Sequence, residues 1–391
     1  MGIGMKLIYL EWGYPYDKDI QNAFVEKGTE ICPFQLSVAV DCHLYPRLDG
    51  VERQRLLQLL EEKKADAVFS INFIAWISDF CQQNHILYSS WVLQLPNMDL
   101  LTDAVQNSCN RIAICDSYLV ERLLRLGMEN IVFLPDAVAE CRRVKLEMVR
   151  PCCYLGKVPF SYSDTPYGQG AGRISDSTLG YIAGMAHCQR VLYGATMLED
   201  ILMGTAAAEF MEKYPLPERV LPQLHRLYLM EAYVAPEVTR LEQIILLQNM
   251  SSGVDIDVFT DGIFPDCTGR IFPYKEETQD RLEIYGSTIV NIVQNDRSIH
   301  DAIPHQTLEI MASGNFALAN FQKDYGYFFQ QGETIVCYGD RLERAQLFNE
   351  YGMNPEKRNR LCDAAFEAVR AGHTYAHRID LIQNNLMECR I

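Results

Sequence analysis

Short apolar runs alternate with amphipathic stretches along the first third of the chain. Residues 6–10, 35–40, 67–71, 86–92, 111–115 and 131–134 read as strands. Residues 19–27, 51–64, 75–84 and 118–126 carry the three-to-four spacing of helices, the last ending at Gly127. A mixed basic stretch, 142–150, breaks the pattern. Strands follow at 152–156, 255–260, 269–272, 289–293, 316–320 and 334–338, and a final helix runs over 375–387. Between the first two of these strands lie a Gly, Ser, Pro and Tyr-rich loop, 162–175, and two long helical stretches, 177–211 and 216–248. This alternation predicts an α/β protein built on mostly parallel sheets with helices on both faces. Ligands in such sheets bind beyond the carboxyl ends of the strands.

Length and composition bound the reading further. At 391 residues, with 48% hydrophobic and 22% charged residues, the chain is expected to form two globular domains. Its net charge of -16 argues against nucleic acid or an anionic membrane as partner. The 13 cysteines form no C-x-x-C pair and no repeating framework, which predicts a reducing cytoplasm with the thiols as small buried hydrophobes. No run approaches the ~20 apolar residues that span a bilayer.

The most informative stretch is 302–321, a loop, a short helix opened by Pro304, a stop at Gly314 and a buried strand. The bare N–H groups of a helix start attract anions. Glu309, about a turn and a half inside, can accept hydrogen bonds from sugar hydroxyls. Together they suit a nucleoside diphosphate, with phosphate at the tip formed by Pro304, His305, Gln306 and Thr307 and ribose on Glu309. Asp301 and Glu309 read alternatively as a helix cap and a solvated helix residue. Tyr167–Arg173 is glycine-rich but lacks G-x-G-x-x-G spacing, so it is expected to be a flexible loop or lid. Asp255 and Asp257 form a D-x-D pair inside a strand and are read as structural. No cluster has metal-ligand spacing, and His373 and His377, four apart, are read as packing residues.

Several pieces, in order, carry a resemblance. They are Leu10-Glu11-Trp12 with Asp19-Ile20, 69–73 around Asn72, 88–92 around Trp91 with Pro96, and 127–135. Tyr154-Leu-Gly156-Lys157, 303–321, 328–333 and 373–378 complete the set. The chain resembles the CgeB-type spore-maturation proteins, a bacterial branch of glycosyltransferases with the GT-B fold. The resemblance implies two Rossmann-like domains facing a cleft. The expected limits are 1–150 for an acceptor domain, 151–374 for a nucleotide-sugar domain with a helical insert, and 375–391 for a helix packing back on the first domain. It implies transfer of a hexose, without a metal or other cofactor, from a UDP- or GDP-linked donor to a glycan, protein or small-molecule acceptor. Closure of the cleft would exclude water.

By the same resemblance, Asp301 and Glu309 fill the two slots of a glutamate pair that brackets the donor, with Asp301 shorter by one methylene. Gly156 and Lys157 fall at a turn beside the donor phosphates, and Gly269-Arg270 where backbone groups read the base. Each also reads as an ordinary turn or loop. Glu11, with Trp12 and Gly13, follows the opening strand on the side of the acceptor and the reacting bond, and is the best first-domain carboxylate for catalysis. Asn72 and Trp91 follow similar strand ends; Asn72 is expected to contact acceptor sugar, and Trp91 reads both as a core residue and as an acceptor contact. Two further positions depart from the family. Gln306 stands where an arginine is common, leaving Lys157, Arg270, Arg297 or His305 to neutralise a diphosphate. Gln94 stands where an aspartate is common. These losses keep open a non-catalytic GT-B-like protein that binds a glycan, a nucleotide or a partner glycosyltransferase. A nicotinamide enzyme lacks its glycine fingerprint in either half.

Overall fold

The computed structural model describes residues 5–36, 50–158, 161–249, 256–261, 269–274 and 280–387. The chain divides into two compact units. Unit 1 comprises Met1–Ala139, Glu218–Pro222 and His373–Ile391, and unit 2 comprises Glu140–Pro217 and Gln223–Gly372.

Unit 1 holds a six-stranded parallel sheet of β1 (Lys6–Glu11), β2 (Glu30–Gln35), β3 (Ala67–Ile71), β4 (Leu87–Val92), β5 (Asn110–Ile114) and β6 (Ile131–Phe133). The spatial order is β2-β1-β3-β4-β5-β6. The chain leaves β1 to one side and returns to β3 on the other, so the crevice beyond the carboxyl ends of β1 and β3 is this sheet's topological switch point. β3 is buried along its whole length, as expected of a strand covered on both faces. Leu7, Tyr9, Phe24, Phe69 and Trp91 form one core with Tyr375 and Ile379 of the last helix, Tyr375–Met387. Each such side chain contributes about 1.5–3 kcal/mol on burial.

The second strand is displaced from its expected place. It runs over Glu30–Gln35, not 35–40, and part of the expected run lies outside the described residues. Pro33 lies opposite Tyr9 within it. Proline removes a ladder donor and argues against a central strand, but β2 is the sheet edge, where that loss is tolerated.

Unit 2 holds β7 (Arg150–Leu155), β8 (Ile256–Thr260), β9 (Arg270–Pro273), β10 (Thr288–Val293), β11 (Ala317–Asn320) and β12 (Val336–Tyr338). All are parallel in the order β12-β11-β10-β7-β8-β9. Numbered from β7, this is the 3-2-1-4-5-6 order of a dinucleotide-binding sheet, with its switch point between β7 and β10. The two long helical stretches are broken into several helices, among them Asp176–Gln189, Gly204–Lys213 and Ala235–Asn249. Gly194 and Gly204 adopt positive φ in this region.

The expected loop at 162–175, with its flexible stretch at 167–173, is instead packed. Pro166–Gly170 is a short helix whose N-cap, Thr165, accepts from the Gly168 amide at 3.1 Å. Tyr167 is buried, and a Cβ at position 170 would lie 2.6 Å from the Tyr214 ring. Only glycine fits against that ring.

Candidate functional site

In unit 2 the helix His305–Ala312 starts beyond the carboxyl end of β10. Pro304 is its N-cap, with φ -65° and ψ 140°, and no side chain caps the first turn. Asp301 is therefore not the cap. Its carbonyl accepts from the Asp324 amide at 3.0 Å, and its buried carboxylate lies 3.5 Å from Lys323 Nζ. Gln306 Nε2 donates to the Leu155 carbonyl at 3.1 Å, tying the helix start to the end of β7 across the switch point. Thr307 turns inward, its fully buried hydroxyl 2.9 Å from that of Tyr325, so its side chain belongs to the core and not to a ligand site.

Glu309 sits where two basic groups converge. Arg281 Nη2 is 3.0 Å from Glu309 Oε1, and His305 Nε2, one turn back on the same helix, is 3.5 Å from the same oxygen. Arg281 opens the helix Arg281–Gly286, which Asp280 caps by accepting from the Leu282 amide at 2.8 Å. Sequence reasoning missed Arg281, since no motif joins two residues so far apart in the chain.

Gly156 and Lys157 follow β7. A Cβ at 156 would lie 2.9 Å from the Tyr154 hydroxyl, so packing over that ring already calls for glycine. Lys157 is exposed and makes no ion pair among the described residues. Two other expected cations are committed elsewhere. Arg270 pairs with buried Asp257 at 2.7 Å, and Arg150 Nε approaches the same carboxylate at 3.2 Å, a structural cluster. Arg297 donates from Nε to Glu242 Oε1 at 2.7 Å. Among the described residues, Lys157 follows the end of β7, while His305 and the unforeseen Arg281 stand beside the helix start in contact with Glu309.

In unit 1, Glu11 ends β1 and accepts from Gln21 Nε2 at 2.8 Å. Trp12 Nε1 donates to the Ile71 carbonyl at 2.9 Å, which lays the indole across the β1–β3 switch point. Gly13 turns the chain away at φ +93°. Asp17, not singled out from the sequence, lies on the same edge. Burial pushes its carboxyl up to about 6, against the opposing hydrogen bonds from Tyr9 and the Tyr14 amide.

Asn72 and Trp91 are both buried, and for Trp91 this is the core-packing reading. Asn72 is buried at φ +62°. Its Oδ1 accepts from the Leu93 and Gln94 amides, both at 3.0 Å, and its Nδ2 donates to Gln94 Oε1. Its amide is used in holding the turn after β4. Trp91 is fully buried, with Nε1 donating to the Leu134 carbonyl at 3.1 Å and its ring edge-on to Tyr375. No face of that ring is open to a sugar.

The two histidines of 373–378 do not converge. His373 Nδ1 takes a hydrogen bond from Arg378 Nη2 at 2.8 Å, and His377 Nδ1 lies 2.7 Å from the Thr374 hydroxyl. Among the described residues no three His, Cys, Asp or Glu side chains are grouped to hold a metal. Among the described residues, no helix is long and apolar enough to cross a membrane.

Comparison with known proteins defines the fold. Residues 266–384 match the glycosyl transferase-like family model. No curated protein matches the sequence. Among solved structures, a glycosyltransferase from Rickettsia africae is similar at a TM-score of 0.53 and 9% identity, covering 98% of each chain. Sucrose-phosphate synthase from Thermosynechococcus elongatus is similar at 0.52 and 11% identity, over 98% of this chain and 99% of that one. Anabaena HepE, solved with UDP and glucose, is similar at 0.50 and 9% identity, over 98% and 99%. The fold is thus that of the GT-B glycosyltransferases, and the second half carries a glycosyltransferase-like domain.

Proposed function

We propose that the protein is a metal-independent glycosyltransferase of the CgeB type. It moves a hexose from a UDP- or GDP-linked donor to a glycan, protein or small-molecule acceptor. The observation that carries this reading is the placement of Glu309, held by Arg281 and His305 one turn inside a helix whose start no side chain caps. The first-turn amides would take the diphosphate. Glu309 would take ribose hydroxyls. Lys157 and Arg281 would supply the positive charge that Gln306 lacks, at the oxygens where negative charge grows as the donor bond breaks. Asp301, on the loop leading into the helix, would face the donor sugar.

The acceptor belongs, in this reading, to the β1–β3 switch point of unit 1, with Trp12 as an apolar face and Glu11 as the nearest carboxylate for proton abstraction. HepE, whose structure contains UDP and glucose, supports a uridine donor by fold similarity. The free thiols support a reducing cytoplasm.

A second reading rests on a specific observation. Gln306 and Glu309 both already have protein partners, which suits a GT-B-like protein that binds without catalysing. Thermal denaturation with UDP, GDP and their sugars separates the two, because a ligand that binds only the folded state raises its midpoint. A rise with one nucleotide sugar, absent in Glu309→Ala, together with release of nucleoside diphosphate, is the expected result. A rise without release in any acceptor mixture favours the non-catalytic protein. No rise with any nucleotide overturns the donor site.

A further inference from the structure

The helix that returns the chain to β8 is continuous over 225–249 but not uniform. It is α-helical over His225–Leu229, a π turn over Met230–Val234, and α-helical again over Ala235–Asn249. The Ala235 amide donates to the Met230 carbonyl, five residues back. Pro236 accounts for the wide turn, since its ring and missing N–H disfavour an α turn just before it.

The turn has a geometric consequence. In an unbroken α-helix Glu231 and Thr239 would point roughly 80° apart. A π turn absorbs an extra residue and brings Glu231 back toward the face that carries Thr239 and Glu242. That face meets the loop between β10 and the His305–Ala312 helix. Thr239 Oγ1 accepts from the Arg297 amide at 2.9 Å, and Glu242 holds the Arg297 guanidinium. Glu231 Oε1 lies 2.5 Å from His300 Nε2, both side chains 5% exposed. His300 directly precedes Asp301 in the chain. Burial pushes the Glu231 carboxyl up, opposed by His300 and the neighbouring Ser298 hydroxyl. A buried carboxylate of this kind is retained only where its partner holds it.

We propose that the Glu231–His300 pair, brought into register by the π turn, positions the 294–304 loop, and through it Asp301 and the start of the His305–Ala312 helix, for the nucleotide sugar. The inference rests on the reading of that helix as the donor site. Glu231 touches no ligand in this scheme and is a positioning residue.

Hydrogen exchange of the full chain, read with the affinity for UDP and GDP, tests it. In Glu231→Ala the amides of 294–304 exchange at least tenfold faster while those of β7 and β10 are unchanged, and the nucleotide Kd rises about tenfold. Glu231→Gln, which keeps an oxygen acceptor, stays within about threefold of wild type in both. If Glu231→Ala accelerates exchange throughout the molecule, His300→Asn supplies the same local readout. Unchanged exchange over 294–304 overturns the proposal. So does faster exchange with unaltered nucleotide affinity, because the loop would then be held for its own sake. Failure of the wild-type chain to bind either nucleotide overturns the donor reading itself, whatever the exchange shows.

Discussion

Arg281 Nη2 and Glu309 Oε1 lie 3.0 Å apart, with side chains 23% and 13% exposed. Two helices that are remote in sequence are thereby joined at the one carboxylate on which donor binding is proposed to depend. Removing one member of a mostly buried pair takes a close counter-ion from the other, which costs more than the pair itself contributes, although His305 stays 3.5 Å from Glu309. Arg281→Ala is therefore expected to destabilise unit 2 by about 2 kcal/mol, below the figure for fully buried pairs because water still reaches both groups. The double variant Arg281→Ala/Glu309→Ala should lose less than the sum of the singles. Urea denaturation of the four proteins measures the coupling. Strict additivity would mean that the contact has no energetic weight.

Lys157 makes the contrasting case. It is exposed and enters no ion pair among the described residues, so Lys157→Ala should leave stability within about 0.5 kcal/mol of wild type. UDP affinity should fall about tenfold, consistent with the loss of roughly 1.4 kcal/mol of charge interaction. The loss should shrink as salt is raised, since an exposed lysine is screened. Arg270→Ala should behave in the opposite way, weakening the fold through Asp257 with little effect on UDP. Calorimetric titration at two salt concentrations distinguishes them. An Arg270 variant that loses UDP at full stability would return the phosphate role to that residue.

The parts legible from sequence and those hidden from it differ for physical reasons. Buried parallel strands are continuous apolar runs, so β3, β4 and β7 stand out, and the His305–Ala312 helix is bounded by Pro304 and Gly314 within a residue or two of its limits. β2 did not stand out, because an edge strand may carry a proline and polar ends. The helical insert reads as long helices because its apolar spacing continues through breaks set by glycine and proline. At the site, sequence supplies what is local: the uncapped helix start and Glu309 inside it. It does not supply Arg281, whose contact is made by the fold. Nor does it separate Trp12 from Trp91. Both follow or end strands, but one indole lies at an open switch point and the other is sealed beneath the last helix.

That difference between the two tryptophans is testable. Trp91→Ala should destabilise unit 1 by about 3–5 kcal/mol through lost packing and cavity formation. Trp91→Phe should cost less but still forfeit the bond to the Leu134 carbonyl. Transfer per folded molecule should be unchanged in Trp91→Phe. Trp12→Ala should cost about 1–2 kcal/mol, for a half-buried ring, and should raise the KM for acceptor while leaving donor affinity alone. Chemical denaturation paired with initial-rate kinetics gives both numbers. Equal kinetic effects at both positions would remove the basis for placing the acceptor beside Trp12.

Two buried groups of unit 1 should make its stability depend on pH with opposite signs. Burial, with the Arg378 and His377 charges nearby, lowers His373 from 6.5 to about 4. Between those values the unfolded chain binds more protons than the native one, so this group's contribution is lost as pH falls from about 6.5 to about 4. Burial raises Asp99 from 3.8 to about 6, against the Ala75 amide and Arg219. Here the native state binds more protons, so stability falls as pH rises from about 4 to about 6. In wild type the slopes partly cancel, and Asp17, which burial also pushes up to about 6, adds to the second. His373→Gln removes the first and should steepen the decline of stability with rising pH, by about 1–2 kcal/mol across the window. Asp99→Asn keeps an acceptor for the Ala75 amide and removes the Asp99 part of the decline, so that stability near pH 6–7 rises by about 2 kcal/mol relative to wild type while the Asp17 slope remains. Urea midpoints of the three proteins from pH 4 to pH 7 read the effect. Parallel curves would show that neither group titrates differently in the folded state.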